Sequence, residues 1–539
     1  MDRPRPILKK GWNTWDTLSV LTFTRLPEKI GLRLGIKHPA GEGYGFFLRE
    51  AQIGRRGEDK EVVRPGIHAY DGSYIEQEVS WRGIELTVRS VTRGDQLIVM
   101  VTRQSASSPD CHIIVTPVLL WNGNAKVGAD GQGQIGWEVP GKGFLPVTAN
   151  RAHDEQVRLI HDYAYHAYPL GETPLVLAVG GPVVSVAEAE ALMRAAKEQW
   201  EKAYAGYPEP LREPVMAMHS CLAWDTVYDP ESDSPLTPVS RIWNVGWGGY
   251  VLFCWDTYFA ALMMAHGDPE LAVHNLNCIT ATVDQCGFVP NYAATGGVRS
   301  WDRSQPPVGS LAAWWIYSLH GDMSILETHF SRFLRWNRWW HEKRSRDGFL
   351  CWGSNPNPGK YRHYDTNRSI GNAQGAIFES GLDNSPMYDE ARFDAASSLL
   401  LIADVGLMGL YCFDCELLER MAQVLGKHEV AEELRTRRST YMEKLRELWN
   451  DNAGIFQNFD LARDCFSPRL SPTNFYPLLA SVATVEQVER MVKEHFYNPA
   501  EFWGEWIIPS IARNDPGYPD QSYWRGRIWG PMNFLVYLG

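Results

Sequence analysis

The chain has 539 residues, more than one hydrophobic core serves, and its 44% hydrophobic content is that of folded protein rather than disorder, so at least two packed domains are expected. Its net charge of −12 repels a polyanion and no Lys or Arg run is long enough for counterion release, which excludes nucleic acid as a partner. No stretch reaches the roughly eighteen apolar residues of a membrane span, no apolar run follows Met-Asp-Arg-Pro-Arg-Pro at the N-terminus, and nine cysteines without framework-like spacing read as reduced thiols, so a cytoplasmic, membrane-free protein is expected.

One bulk signal stands out. The 22 Trp residues mean either a large core or a surface that stacks on flat apolar faces, of which sugar rings are the commonest, and core packing accounts for many of them.

Up to about Thr116 the pattern favours strands. Ile84, Leu86 and Val88 alternate with Glu85, Thr87 and Arg89, the turn Arg93-Gly94-Asp95 follows, and 97–102 is a second short branched run: a hairpin by period and punctuation. Gly-rich turns at 41–45, 71–73, 122–136 and 141–143 separate further short segments in the manner of a β-sandwich. Near Ser185 the period changes. Ser185-Val186-Ala187-Glu188 has the form of a capping box opening a helix to about Ala205, ended by Gly206 and Pro208. The expected organisation is a β-sandwich domain over 1–180, a helical linker over 181–212 and a helical domain over 213–539.

Helical periodicity then marks 268–284, 309–320, 323–343, 390–409, 414–425, 427–450 and 484–495, with Thr484 and Gln487 forming a second capping-box pattern. Long loops rich in Gly, Pro, Asn, Asp and Trp separate them at 241–256, 285–308, 352–389 and 498–530, and loops of that length usually carry function. Helices arranged in a ring with loops converging on one mouth fit the pattern; an open helical bundle gives the same periodicity.

Four loop clusters combine carboxylates, amides, Arg and indoles: 255–259, 301–307, 381–389 and 521–526. Cleaving a glycosidic bond needs an acid for the leaving oxygen and a base for water. Asp383, between Leu382 and Pro386, sits in a partly apolar setting that raises a carboxyl pKa, although Asn384 and Ser385 also fit a simple loop cap. Several signals carry no site. Gly131, Gly133 and Gly136 match a dinucleotide spacing but no helix follows, and the Cys412/Cys415 pair lacks a second pair or a His partner for zinc. No metal and no cofactor is expected.

In order, Trp255-Asp256-Thr257-Tyr258-Phe259, Ser304-Gln305-Pro306-Pro307, Gly381-Leu382-Asp383-Asn384-Ser385-Pro386, Ala391-Arg392-Phe393-Asp394-Ala395 and Tyr523-Trp524-Arg525-Gly526 resemble the motifs of family 63 glycoside hydrolases, nearest the bacterial mannosylglycerate and glucosylglycerate hydrolase type, with trehalase as a relative. The resemblance covers about 255–530. It implies an (α/α)6 barrel, inversion, no metal in the chemical step and a small carbohydrate substrate with an α-glucosidic or α-mannosidic bond. It places the general acid on Asp383 and sugar contacts on Trp255, Asp256, Gln305, Gly381, Arg392, Tyr523 and Trp524. The segments 11–15 and 68–74 also look like the β-rich N-terminal domain of bacterial members.

The resemblance places the general base on a Glu beyond the Tyr-Trp-Arg-Gly segment. Here the chain stops at Leu538-Gly539, so a C-terminally truncated barrel is expected, with Glu505 as a possible secondary carboxylate. An active glycosidase, a catalytically impaired glycan-binding protein of the same fold and an interaction module with Trp-rich loops all remain open at this point.

Overall fold

The computed structural model describes residues 11–159, 164–356 and 369–539, so the N-terminal hexapeptide and part of the expected loop 352–389 lie outside the described residues. The chain packs as two compact units, Met1–Val251 with His266–His274, and Leu252–Ala265 with Asn275–Gly539.

The first unit is built on β1 (Thr22–Arg25), β2 (Ile30–Lys37), β3 (Phe47–Leu48), β4 (Val62–His68), β5 (Tyr74–Trp81), β6 (Ile84–Arg93), β7 (Gln96–Arg103), β8 (Cys111–Leu119), β9 (Lys126–Ala129), β10 (Ile135–Val139), β11 (Gly143–Ala149), β12 (His166–Leu170) and β13 (Leu175–Val179). They form two antiparallel sheets, one in the order β1-β2-β8-β12 with β3 beside β2, the other β4-β5-β6-β7-β13-β11-β10-β9. The expected hairpin is present: β6 pairs β7 from Leu86↔Arg103 to Arg93↔Gln96, and Ile84, Leu86 and Val88 are buried while Glu85 is exposed.

Period-two alternation makes the core. Leu32, Leu34 and Ile36 of β2 and Ile113 and Val115 of β8 join Val88, Val99, Val101, Trp137 and Leu177 from the other sheet in one apolar cluster. The intervening residues of the larger sheet, among them Val91, Ile98, Met100 and Val176, make a second cluster with Ala189 and Met193 of helix α1 (Val186–Ala203). The expected linker 181–212 therefore packs on the strands. Of its predicted capping box only half forms: Ser185 Oγ accepts from Glu188 N, while the Glu188 carboxylate pairs with Arg93 instead.

Helix α2 (Glu209–Asp225) was not apparent in the sequence, because Pro208 reads as a stop after α1 although it also occupies the cap before α2. The short helix α3 (Arg241–Gly246) buries Arg241, whose guanidinium donates to Thr14 O and Trp224 O at 2.9 Å each; burial pushes it down to about 10. The Gly131–Gly136 run forms the turn into β10.

The second unit is helical. It contains α4 (Cys254–Met264) and the second half of α5 (Pro269–Thr280), then α6 (Gly309–His320), α7 (Met323–Arg344), α8 (Ala373–Glu379), α9 (Val405–Val424), α10 (His428–Arg446), α11 (Val485–Arg490) and α12 (Gly530–Leu538). The expected helices at 390–409 and 414–425 are not separate elements. Asp394 accepts from Ala396 N and Ser397 Oγ, Phe393–Asp394 pairs with Leu399–Leu400 as a small hairpin, and helix begins only where Asp404 caps Leu407 N at 2.8 Å. Helix α9 then runs unbroken and is buried almost all round, packed on α6, α7, α10 and the turn segment 472–480. The Thr484/Gln487 capping box forms in both directions. Among the described residues no helix is long and apolar enough to cross a membrane.

One glycine is required by the first unit. Gly72 has φ +68° and a Cβ there would fall 1.8 Å from the carbonyl oxygen of the buried Trp12. Gly72→Ala should therefore destabilise by more than about 1 kcal/mol, whereas Gly128→Ala, which points into open space, should stay within about 0.5 kcal/mol of wild type. Denaturant unfolding followed by Trp fluorescence distinguishes the two.

Candidate active site

The Asp383 loop leaves the end of α8. That helix is capped by Asn372, whose side chain accepts from Gly375 N, and Gln374 on its first turn reaches forward to donate to Asp383 O at 3.0 Å. Gly381 turns the chain with φ +74°, and a Cβ there would approach the Trp255 indole to 3.0 Å, so only glycine lets this loop lie flat on the ring. Leu382, Ser385 and Pro386 are buried and Asp383 is half-buried between them. Ser385 caps the turn that follows by accepting from Met387 N.

Trp255 and Asp256 belong not to a loop, as the sequence suggested, but to the first turn of α4. Gln305, 3% exposed, takes up one of the orphan amides of that helix end: its Oε1 accepts from Trp255 N at 3.0 Å. The Trp255 ring meets Phe259 and Trp524, each with centroids 5.9 Å apart. A helix N-terminus favours a carboxylate, yet Asp256 is pushed up to about 7. Burial is the larger cause and the charge of Asp383 the second, so Asp256 and Asp383 face one field. The Tyr523 phenol is raised by burial and then by the same two carboxylates. Three titratable groups from three separate segments thus converge beside a pair of indoles.

Asn384 joins two of these segments. Its Nδ2 donates to Ser522 O at 3.2 Å, its Oδ1 accepts from Trp524 N at 2.9 Å, and its carbonyl accepts from Arg525. Arg525 continues the seam by pairing with both oxygens of Asp389 at 3.0 Å and with Asp520 at 2.6 Å. Trp524 stacks on Trp529 at 3.9 Å and 17°, and Trp529 Nε1 donates to Tyr523 O. The sequence offers no sign of this joining role for Asn384, since a partner 138 residues away leaves no local signal.

Two expected residues are not drawn into this set. Arg392 is exposed, and its recorded bond is the carbonyl accepting from Leu401 N. Glu505 is exposed between Trp503 and Trp506; Arg513 fastens that loop by donating to both Trp carbonyls, and no bond among the described residues ties Glu505 to Asp383 or Asp256. In the Cys412/Cys415 pair, burial raises both thiols, Cys415 to about 12, and Asn337 donates to Cys415 Sγ.

Beneath the site lies a pair that sequence reasoning missed. Arg344 at the end of α7 donates Nε to Glu379 Oε2 at 2.6 Å and Nη2 to Oε1 at 2.8 Å, with both side chains 1% exposed or less. Glu379 also accepts from Ser304 N at 2.8 Å and Gly353 N at 2.6 Å, and Arg344 reaches Asn355 Oδ1 and Asp302 O. Burial pushes the Glu379 carboxyl up, and the Arg344 charge with these donors opposes it. The weak hint in the sequence is position: Ser304 precedes Gln305, and Glu379 stands two residues before Gly381.

Removing one partner of so enclosed a pair leaves a buried charge. Glu379→Ala should cost about 3–5 kcal/mol, and the half-exposed pair Arg346–Asp394 should lose at most about 1 kcal/mol on Arg346→Ala. Equilibrium unfolding of the two variants checks both values.

Residues 249–539 match the family described as mannosylglycerate hydrolase MGH1-like glycoside hydrolase domain. Mannosylglycerate hydrolase MGH1 of Selaginella moellendorffii is 22% identical over 361 residues, spanning 53% of this chain and 68% of that protein. A periplasmic trehalase of Escherichia coli O1:K1 / APEC is 23% identical over 334 residues, 54% of this chain and 57% of the trehalase. In fold, a bacterial glucoamylase complexed with acarbose superposes with a TM-score of 0.53 at 9% identity, over 98% of this chain and 84% of that one. With more than half its length matched, the chain belongs to the mannosylglycerate hydrolase MGH1-like glycoside hydrolase family.

Proposed function

We propose that the protein is an inverting α-glycosidase that hydrolyses an α-glucosidic or α-mannosidic bond in a small glycoside or oligosaccharide, with Asp383 as general acid. The observation that carries this reading is the shared field of Asp383, Asp256 and Tyr523 beside the Trp255–Trp524 indoles. Repulsion between two neighbouring carboxyl groups favours keeping a proton between them, as leaving-group protonation requires. Asp383 delivers it to the glycosidic oxygen; Asp256 and the Gln305-braced turn of α4 hold the sugar, and the indoles cover its apolar face.

In this reading the helices of 213–539 form an (α/α)6 barrel after a β-sandwich over 1–180 and a linker over 181–212, and Gly381, Tyr523 and Trp524 border the sugar pocket. The nine free cysteines fit a cytoplasmic setting. Mannosylglycerate and trehalose, the substrates named in the relatives' titles, are the first to assay. A second reading, a catalytically impaired glycan-binding protein of the same fold, is favoured by the exposure of Glu505. It predicts sugar binding by calorimetry without product on long incubation.

Asp383→Asn should lower kcat by about 10²–10⁴ on whichever α-glycoside is cleaved, and proton NMR of the wild-type reaction should show the β-anomer released first. A retained α-anomer, or near-normal turnover by Asp383→Asn, contradicts the assignment.

Activity depends on the protonated acid, so it should decline as pH rises, and the neighbouring Asp256, pushed up to about 7 by burial and then by the charge of Asp383, is coupled to that acid. Asp256→Asn removes the neighbouring negative charge, which makes Asp383 easier to ionise. The alkaline limb of kcat/KM should therefore move to lower pH. A limb that stays in place or moves to higher pH shows that the two groups are not coupled.

A further inference from the structure

The segment 68–74 and the second half of α1 meet at a feature the hydrolytic reading does not use. Ala69, Tyr70, Asp71 and Ser73, with Thr92 of β6, form one side of a cleft on the first unit. Ala196, Gln199, Trp200, Ala203 and Tyr204 form another, and Gly267 and Asp268 close it. The cleft has a volume of about 360 Å³ and is open to solvent on one side, enough to seat one or two rings of a longer ligand.

The wall on α1 follows from helical period. Ala189 and Met193 bury one face of the helix on the larger sheet, and the same stripe continues through Ala196, Trp200 and Tyr204. Past the sheet that stripe faces the cleft. Two alanines keep the wall open, and Trp200 stays half-buried where full burial would be the ordinary outcome for an apolar stripe. Trp200 and Tyr204 set their rings 4.8 Å apart at 56°, a bent aromatic wall.

Beneath it polar groups are held in place. Tyr204 Oη and His219 Nδ1 are 2.9 Å apart, and the imidazole is pushed down to about 4 by burial and then by His266, so it is uncharged. Tyr70 Oη and His219 Nε2 are buried with no hydrogen-bond partner among the described residues. Asp71 accepts from Ser73 N and Asp268 from the amides of Glu270 and Leu271, which fixes both carboxylates at the rim.

The chemistry of this lining selects its ligand. Its described residues include two carboxylates and no Lys, Arg or His, which disfavours phosphates and carboxylates. Flat aromatic faces next to fixed oxygen acceptors and an amide suit a neutral ring with hydroxyls along its edge. Both carboxylates already spend an oxygen on backbone amides, which weakens the case for an organic cation. We infer that this cleft is a second, non-catalytic binding site for a neutral oligosaccharide, stacked on Trp200 and hydrogen-bonded through Asp71, Gln199 and Ser73.

The test uses the full chain carrying Asp383→Asn, titrated with maltotriose by calorimetry, with D-glycerate and tetramethylammonium as anionic and cationic probes. Two sugar sites per chain are expected. Trp200→Ala should remove one, and Asp71→Ala, an exposed position, should weaken the same one at least tenfold. In a chain with Asp383 intact, Trp200→Ala should leave turnover of a chromogenic α-glycoside unchanged. A single sugar site that vanishes with Trp200→Ala supports the cleft even if the Asp383 reading fails. An unchanged number and affinity of sugar sites in both variants, no sugar binding at all, or a cleft that takes either charged probe in place of maltotriose overturns the inference.

Discussion

The buried pair of Arg344 and Glu379 is the constraint on which the site depends. Neither charge reaches water, so each must be satisfied inside the unit, and the groups that satisfy them come from four places in the chain. Glu379 ends the helix that leads into the Asp383 loop, and its two oxygens collect the amides of Ser304 and Gly353 as well as the guanidinium. Ser304 in turn precedes Gln305, which braces the first turn of α4 and hence Trp255 and Asp256. A buried ion pair of this kind adds little net stability over an apolar substitute. What it contributes here is position: the Asp383 loop and the first turn of α4 are hung from the same two side chains.

Above that anchor the site is an electrostatic arrangement on flat apolar walls. Desolvation raises Asp256, and Asp383 raises it further, against the pull of the helix end. The side that closes the pocket, 522–525, is fastened by neutral hydrogen bonds from Asn384 and by ion pairs of Arg525 that stay on the exposed flank. The Arg525 ion pairs go to Asp389 and Asp520, at the seam between the two segments.

Much of the fold was legible because it is written in local periods. The alternation at Ile84–Arg89 specified β6 and its partner, and the 3.6-residue stripes at 309–320 and 323–343 gave α6 and α7 almost to the residue. Where side chains compete with the backbone, the period misled. Asp394 and Asp404 break an apparently continuous helical pattern, and Pro208 hides the start of α2. The site divides in the same way. Trp255, Asp256, Gln305, Gly381, Asp383 and the Tyr523–Trp524 pair could be named from ordered motifs, because chemistry restricts residue type as well as spacing. Glu379, Arg344 and the joining role of Asn384 could not, since Glu379 and Arg344 stand 35 residues apart and Asn384 reaches partners 138 and 141 residues away.

The central claim is that Asp383 supplies the proton to the departing oxygen. It is tested most directly by varying how much the leaving group needs one. Asp383→Asn should retain near wild-type turnover on an α-glycosyl fluoride, whose leaving group departs with little help, and lose most turnover on the matching alkyl α-glycoside. Equal loss on both substrates, or no loss on the alkyl glycoside, would contradict the account.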